Sequence, residues 1–368
     1  TFIIALPKRV NKDTGRLHGS LNPLGTDTGR FSSSDPNLQN IPARAVDIRN
    51  MFVPAKGNVY ISSDFSSQEP KIATHLCGDK KMIQAFKEGK DLYAVIAGVA
   101  FNKDYKECLE FHPDTGEKQV EGKKRRTTIK AIFLGVLYSK QVPSIAKDLG
   151  IEKDQAQAIY DRVMELFPAL PPLIEGSLEK AYSQGYVETI WGRRRRFPDL
   201  QTLQKYEFEV NPEKKSKYFD PLDFSTVLGV PQEFCVAWWN KLEKFKYYKD
   251  KKDFIVALNK DGIEVIENTW IIAELERKVL NSIVQGSAAD QSKRAMLLVE
   301  HDPLLKKLGF KLLLAIHDEL MGECPKENYK EASKRFSELM VKAGEDLIVP
   351  SLCDVEVAEE WGGASYHE

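Results

Sequence analysis

Two aspartates at the ends of apolar segments are the residues of this sequence best suited to chemistry. In KLLLAIHDELMGEC (Lys311–Cys324) the apolar run Leu312–Ile316 passes directly into His317, Asp318 and Glu319 before apolar character returns at Leu320. NVYISSDF (Asn58–Phe65), β-branched and aromatic, reads as a short strand that delivers Asp64 at its end. Burying an ionised carboxylate is costly unless a cation or a donor meets it. A carboxylate pair at buried strand ends therefore asks for a partner, and a divalent metal is the obvious one. Strand ends are also rigid platforms that can hold such a pair in register. The plain alternative for HDEL is a solvated hairpin tip. Two narrower readings fail. A retention signal would have to be C-terminal, and here the chain runs on to Glu368. A zinc helix needs His-x-x-x-His spacing, which this segment lacks.

A second set of residues lies on RRTTIKAIFLGVLY. Placed on a helix, Arg126, Lys130, Leu134 and Tyr138 fall at every fourth position and form one stripe that drifts slowly around the axis. Two cations a turn apart suit a polyphosphate, the arginine as a planar fork and the lysine as a point charge. The apolar and aromatic residues beyond them could stack on a base. An ordinary amphipathic helix with a snorkelling basic edge accounts for the same pattern.

The elements that must position these groups can be sketched from the rest of the chain. Its 368 residues, 42% hydrophobic and 29% charged, suffice for one large or two ordinary globular domains with a proper core, not a disordered chain. No apolar run approaches a membrane span and no signal-peptide pattern is visible, so a membrane partner is not expected. Cys77, Cys108, Cys235, Cys324 and Cys353 are scattered, with no Cys-x-x-Cys, which points to a reducing compartment and no zinc site. The formal net charge is −1, so any anionic partner must be met locally, by GKKRRTTIK, GRRRRF or KFKYYKDKK. The first fifty residues are rich in turn signals. From about Ile72 to Tyr186 the pattern is mostly helical; KDQAQAIYDRVMELF is closed by Pro168 and the Pro171–Pro172 pair. Residues 201–268, aromatic and lysine-rich with interrupted periodicity, read as an inserted subdomain. A long helix follows from about Trp270 to Glu300, then the carboxylate hairpin, a helix and the tail EEWGGASY.

These segments resemble the family A DNA polymerases, the group that contains bacterial polymerase I and the T7-type phage enzymes. TDTGRFSSSDPNLQNIP (Thr26–Pro42) resembles the signature that opens that family's palm. DFSSQEPK (Asp64–Lys71) resembles its motif A, RRTTIKAIFLGVLYS its motif B and AIHDEL its motif C. GYVETIWGRRRRFPD (Gly185–Asp199) and NSIVQGSAADQSKRAM (Asn281–Met296) agree as supporting segments. The order is the family's, and the likeness covers most of the chain outside 200–268.

The resemblance implies an α/β (α+β) right-hand polymerase: an antiparallel palm sheet with a mostly helical fingers subdomain. Residues 1–71 and 269–368 would be palm and 72–200 fingers. Its activity would be template-directed addition of dNTPs to a primer 3′-hydroxyl, by transfer at two metal ions about 3.5–4 Å apart. Asp64 and Asp318 would hold two Mg²⁺, with Mn²⁺ an acceptable substitute. Arg126 and Lys130 would grip the triphosphate, Lys130 also as proton donor to pyrophosphate, while Tyr138 would sit against the templating position as the fingers close and Leu134 would join the nucleotide-binding set. Glu69 would be the steric gate against a ribose 2′-hydroxyl. Arg30 and Gln285 would meet minor-groove acceptors shared by all base pairs. Arg277 and Asn281 would contact template or primer, and His317 and Glu319 would support the primer terminus. The Arg193–Arg196 run would contact phosphates. Partners would be primer–template DNA and dNTPs, with no membrane.

Departures from the family pattern are also legible. Leu134 stands where Phe or Tyr is usual, leaving dideoxynucleotide discrimination open. Pro70 follows the gate glutamate, Lys71 replaces an arginine, and Ser139 replaces the glycine after Tyr138. Tyr93 occupies the place of a triphosphate-binding histidine and can donate a hydrogen bond without carrying charge. These divergences and the insertion lean towards a phage-type member. Thumb and exonuclease would be absent from this chain, as in a fragment, a cleaved product or one half of a split polymerase; in the last case a separate thumb/exonuclease polypeptide or other replisome proteins would be partners, and no proofreading is expected of this chain alone. The setting would be the cytoplasm of a bacterial or phage-infected cell, with an organelle still compatible. Two other functions compete. Glu69 and QGSAAD speak against a single-subunit RNA polymerase, and the intact Asp64/Asp318 pair speaks against a non-catalytic primer–template binding subunit of a replisome.

Overall fold

Alternation along Asn58–Phe65 sorts its side chains onto two faces. In the computed structural model this segment is an inner strand of a four-stranded antiparallel sheet, in the order Cys353–Ala358, Asn58–Phe65, Glu319–Pro325, Lys311–Ile316. The structure describes residues 2–42, 45–211, 230 and 232–366. Val59, Ile61 and Phe65 enter the main core with Leu320, Cys324, Val299, Phe336 and Met340. The opposite face carries Tyr60, Ser62 and Asp64. Tyr60 and Met321 close a smaller apolar cluster with Leu38, Ile41 and Trp361, which leaves the Asp64 end polar. A one-residue slip would exchange the two faces, so burial of the Val59–Ile61–Phe65 set fixes where Asp64 points.

The chain divides into two compact units. The first comprises Thr1–Lys180, Tyr186–Arg196 and Lys278–Glu368, and the second Ala181–Gly185 and Phe197–Arg277. Helices of the first unit cover the span expected to be helical, from Gln68–Cys77 to Leu170–Gln184, the last of which it shares with the second unit. Helix Val120–Leu137 buries Ile129, Ile132, Phe133, Val136 and Leu137, with the Phe133 ring edge-on to Phe167 at 6.3 Å. Lys153–Leu166 stops before Pro168 as expected. The Pro171–Pro172 pair, however, opens the next helix, Leu170–Gln184. First-turn N–H groups have no intrahelical acceptor, so proline costs little there. Pro70 is tolerated in the first turn of Gln68–Cys77 for the same reason.

The second unit has its own small core, in which Trp238, Leu258 and Ile263 are buried between helices Gln232–Lys244 and Tyr248–Lys260 and the ribbon Tyr206–Val210/Ile263–Glu267. Of the stretch 201–268, residues 212–229 and 231 lie outside the described residues. The long helix is Thr269–His301, contributing to the second unit up to Arg277 and to the first from Lys278. Among the described residues no helix is long and apolar enough to cross a membrane.

Lys71 is an expensive feature of this fold. It is 4% exposed, its Nζ has no hydrogen-bond partner among the described residues, and the Phe86 ring lies 5.8 Å away. Burial pushes its pKa down to about 8, against the pull of Asp354. Because the folded pKa lies below the unfolded one, the unfolded chain holds more protons between about pH 8 and the ordinary value of 10.5, and stability rises with pH across that window. Lys71→Met is therefore expected to stabilise the protein by ~2 kcal/mol near neutral pH, with the gap to the unmodified chain closing as pH rises through the window. Urea midpoints at neutral pH and near pH 10 check this.

Candidate active site

Strand register brings the acids together. Asp64 lies directly opposite Glu319 on one neighbouring strand and Asp354 on the other, so three carboxylates stand abreast on one face. Asp318 belongs to the turn between Lys311–Ile316 and Glu319–Pro325, and its carbonyl accepts from the N–H of Phe65 at 3.3 Å. His317, the other turn residue, has φ +57°, a left-handed value uncommon outside glycine. Its ring is exposed and makes no hydrogen bond among the described residues. Asp64, Glu319 and Asp354 open into a cleft of about 310 Å³ that Arg49, Ser62, Glu356 and Glu360 also line.

Partial burial, and then the charges of Asp318, Glu319 and Asp354, push the Asp64 carboxyl up to about 7. Asp64 remains open to solvent at the strand end, so the crowding of like charge is the firmer cause. Burial raises Glu319 as well, against the Ser62 hydroxyl and Arg49. This donor set is all oxygen and short of positive charge, which fits a hard divalent cation. Among the described residues no three His, Cys, Asp or Glu side chains could hold an ion by themselves. Mg²⁺ keeps several waters and takes one or two carboxylates plus substrate oxygens, so it does not require such a group.

The cationic stripe is tied to the segment that follows the Asp64 strand through Glu69. Glu69 lies in the first turn of the helix that follows the Asp64 strand. Its Oε1 accepts from Arg30 at 2.6 Å and its Oε2 from the hydroxyl of Tyr138. Burial, Glu69 and its hydrogen bond all raise the Tyr138 pKa, while a hydrogen bond with Gln285 opposes them. The stripe is shorter than the spacing implies: helix Val120–Leu137 ends before Tyr138, which is its C-cap. Ser139 (φ +48°) donates to Val136 and Lys140 to Gly135, a closing motif that favours glycine. Ser139→Gly should accordingly raise stability by ~1 kcal/mol, read as a higher urea midpoint.

Arg126 donates from Nε to Asp91 at 2.6 Å, and Asp91 also caps helix Leu92–Phe101 through the Ala94 N–H. Tyr93 is 4% exposed, with Arg126 and Lys130 at 5.5 and 6.0 Å over its ring and Phe133 edge-on at 6.1 Å. Burial, with Glu69 and Asp91, raises its pKa. The phenol therefore lies beneath the two cations. Lys130 is exposed and Leu134 half-buried.

Gln285 and Asn281 are half-buried on Thr269–His301, and Asn281 Oδ1 is buried without a hydrogen-bond partner among the described residues. Arg277, by contrast, falls in the second unit. The Arg193–Arg196 run is largely committed to protein. Arg193 donates to Asp290 (2.7 Å) and to the carbonyls of Thr28 (2.7 Å) and Gly286 (3.0 Å), while Arg194 pairs with Glu188 and Arg195 with Asp27. Gly286 is needed for this packing: a Cβ there would meet Thr189 Cγ2 at 2.8 Å and Arg193 at 2.9 Å. Sequence reasoning missed Asp354, Asp91 and Arg49. For Asp354 the signal was present, since CDVEVA alternates polar and apolar residues as a half-buried strand does.

An antiparallel sheet with carboxylates abreast at its strand ends is the frame for the comparison with known proteins. The sequence pattern of DNA polymerase family A matches residues 1–215 and 259–363, and the chain belongs to that family. It is 33% identical over 364 residues to the thermostable DNA polymerase I of Thermus filiformis, across 98% of this chain and 34% of that protein. To DNA polymerase I of Chloroflexus aurantiacus it is 30% identical, across 98% of this chain and 30% of that protein. The chain thus spans about a third of the length of these curated relatives. The POL domain of Pol1 from M. smegmatis, solved in complex with DNA primer-template and dNTP, superposes with a TM-score of 0.72 at 26% identity, covering 98% of this chain and 50% of that one.

Proposed function

We propose that this chain carries a template-directed DNA polymerase centre that adds dNTPs to a primer 3′-hydroxyl. The observation that carries the reading is the Glu69 link: the helix bearing Arg126 and Lys130 ends on Tyr138, whose hydroxyl donates to the glutamate directly after the Asp64 strand. The end of the cationic helix is thereby hydrogen-bonded to the segment that follows the Asp64 strand. Asp64 and Asp318 would hold two Mg²⁺, with Glu319 and Asp354 adding negative potential beside them. When bound, such ions lower the pKa of the attacking hydroxyl and neutralise charge on the triphosphate. The protein's own share is positioning and electrostatics, which is most of what phosphoryl transfer requires.

Arg126 and Lys130 bind the triphosphate, with Arg126 first exchanging its contact to Asp91. Tyr93 supports both cations from below. Lys130 is placed to give a proton to departing pyrophosphate. Tyr138 and Leu134 present a flat apolar surface to the incoming base. Glu69, held from two sides by Arg30 and Tyr138, is a stiff wall where a 2′-hydroxyl would sit. Gln285 and Asn281 face the duplex, the unpaired Asn281 Oδ1 as an acceptor, and His317 stands at the turn where the primer end would lie. Residues 1–71 and 269–368 act as palm, 72–200 as fingers and 201–268 as an inserted subdomain. The relatives named above are bacterial, which favours a bacterial cytoplasm and lends no support to a phage-type origin. Single-nucleotide incorporation opposite each template base, with dNTPs and rNTPs in parallel, tests the reading. Template-matched dNTP addition is expected; preferential rNTP addition would instead make the chain an RNA polymerase.

A further inference from the structure

KLEKFKYYKDKK (Lys241–Lys252) is the strongest concentration of charge and aromatic side chains that the active-site reading leaves unused. Helix Gln232–Lys244 ends in it and Tyr248–Lys260 begins in it, with Phe245–Tyr247 as the turn. The second unit already has its aromatic core of Trp238 with Phe208, Phe234 and Phe254. Tyr247 and Tyr248 are not drawn into it: they are 64% and 73% exposed, side by side at the turn. Two large rings left in water forgo the burial their size would reward, unless something covers them in use.

The charge around them is equally uncommitted. Lys244, Lys246, Lys249 and Lys252 are exposed and pair with no carboxylate among the described residues. The neighbouring Glu243 is held by Lys205 at 3.3 Å, and Lys251 is bonded to Glu267, leaving Asp250 and Asp253 as the only opposing acids within the segment and the helix turn after it. Lys246 lies 5.9 Å from the Tyr247 ring and Lys241 4.2 Å from that of Phe254. The N-terminus of Tyr248–Lys260 has no side-chain cap, so its first-turn N–H groups add donors and a positive dipole end. A shallow cavity of about 370 Å³ lies beside the turn, lined by Ala237, Asn240, Lys241, Lys244 and Phe245.

We propose that this turn is a nucleic-acid-binding surface separate from the catalytic cleft, and that it takes single-stranded DNA. Lysines and the open helix end neutralise phosphates, while Tyr247 and Tyr248 stack on unpaired bases, the combination that single-strand binding uses. A duplex hides its base faces within the stack, and an acidic peptide would engage the lysines but give the rings nothing flat to cover. The DNA polymerase family A pattern leaves residues 216–258 unmatched, so the surface is particular to this chain relative to that pattern. It does not rest on the polymerase reading.

The test is fluorescence anisotropy of the full chain with a labelled oligothymidylate, without dNTPs or metal, across a salt series. Tyr247→Ala with Tyr248→Ala should weaken binding by about 10-fold per ring, while the paired Tyr→Phe changes should bind as the unmodified chain does. Lys246→Glu with Lys249→Glu should weaken it further and reduce the slope of log affinity against log salt by about 1.4 or more. A strand carrying 5-iodouracil should cross-link to Tyr247 or Tyr248. Unchanged affinity in both the alanine and the glutamate pairs overturns the proposal, as does a loss confined to the glutamate pair, which would leave a phosphate-only patch. Equal competition by a blunt duplex also overturns it. No catalysis is needed for this readout, so failed primer extension would leave it standing.

Discussion

Asp318→Asn is expected to lower primer extension by about 10³-fold, with primer–template affinity little changed. The substitution keeps the shape of the side chain and removes its charge. Several kcal/mol of transition-state charge stabilisation is the ordinary share of a bound divalent ion, and a carboxylate that holds the ion is needed to realise it. The backbone should not suffer, because the Asp318 carbonyl, not its side chain, accepts from the Phe65 N–H. Removing one negative charge from a crowded acidic cleft should leave the fold as stable or slightly more so. Unchanged melting with lost extension would separate a catalytic role from a structural one. Activity within a few-fold of the unmodified chain would mean that the paired acids are not the metal seat.

Glu69→Ala is expected to raise rNTP incorporation relative to dNTP by about 10²-fold. Forcing an extra atom into a well-packed site costs ~1–3 kcal/mol, and a wall held from two sides exacts the upper part of that range. Arg30 and the Tyr138 hydroxyl both bind Glu69, so it cannot swing aside to admit a 2′-hydroxyl. The same substitution releases Tyr138 and Arg30, and dNTP incorporation should slow with it; the ratio of the two rates is the informative quantity. Glu69→Gln, which keeps the size, should keep discrimination and lose part of the rate. An unaltered ratio in Glu69→Ala would place the gate elsewhere.

The strands that carry the acids were legible because each is a short apolar run ending abruptly in carboxylates, and core burial of Val59, Ile61 and Phe65 leaves Asp64 only one face to occupy. The long helix at Thr269–His301 was legible because no proline interrupts it over its whole length. The third carboxylate was not seen. CDVEVA is a brief alternation at the far end of the chain, and only strand pairing puts Asp354 beside Asp64. At Arg193–Arg196 a run of arginines states how much charge is present and not that Asp290, Glu188 and Asp27 meet three of the four side chains. Periodicity overran by one residue at Tyr138, since a helix ends by its closing hydrogen bonds, here those of Ser139 and Lys140. Tyr93 reads in sequence as a hydrogen-bond donor in a histidine's place; its packing against Phe133 beneath Arg126 and Lys130 is a tertiary contact that spacing does not show.

The most direct measurement is primer extension by the unmodified chain with Mg²⁺ and the four dNTPs, with primer–template binding followed on the same preparation. The account predicts extension that follows the template and stops when Mg²⁺ is chelated. Tight binding of primer–template with no extension, at any Mg²⁺ or Mn²⁺ concentration, would contradict it and leave a chain that grips DNA without catalysis.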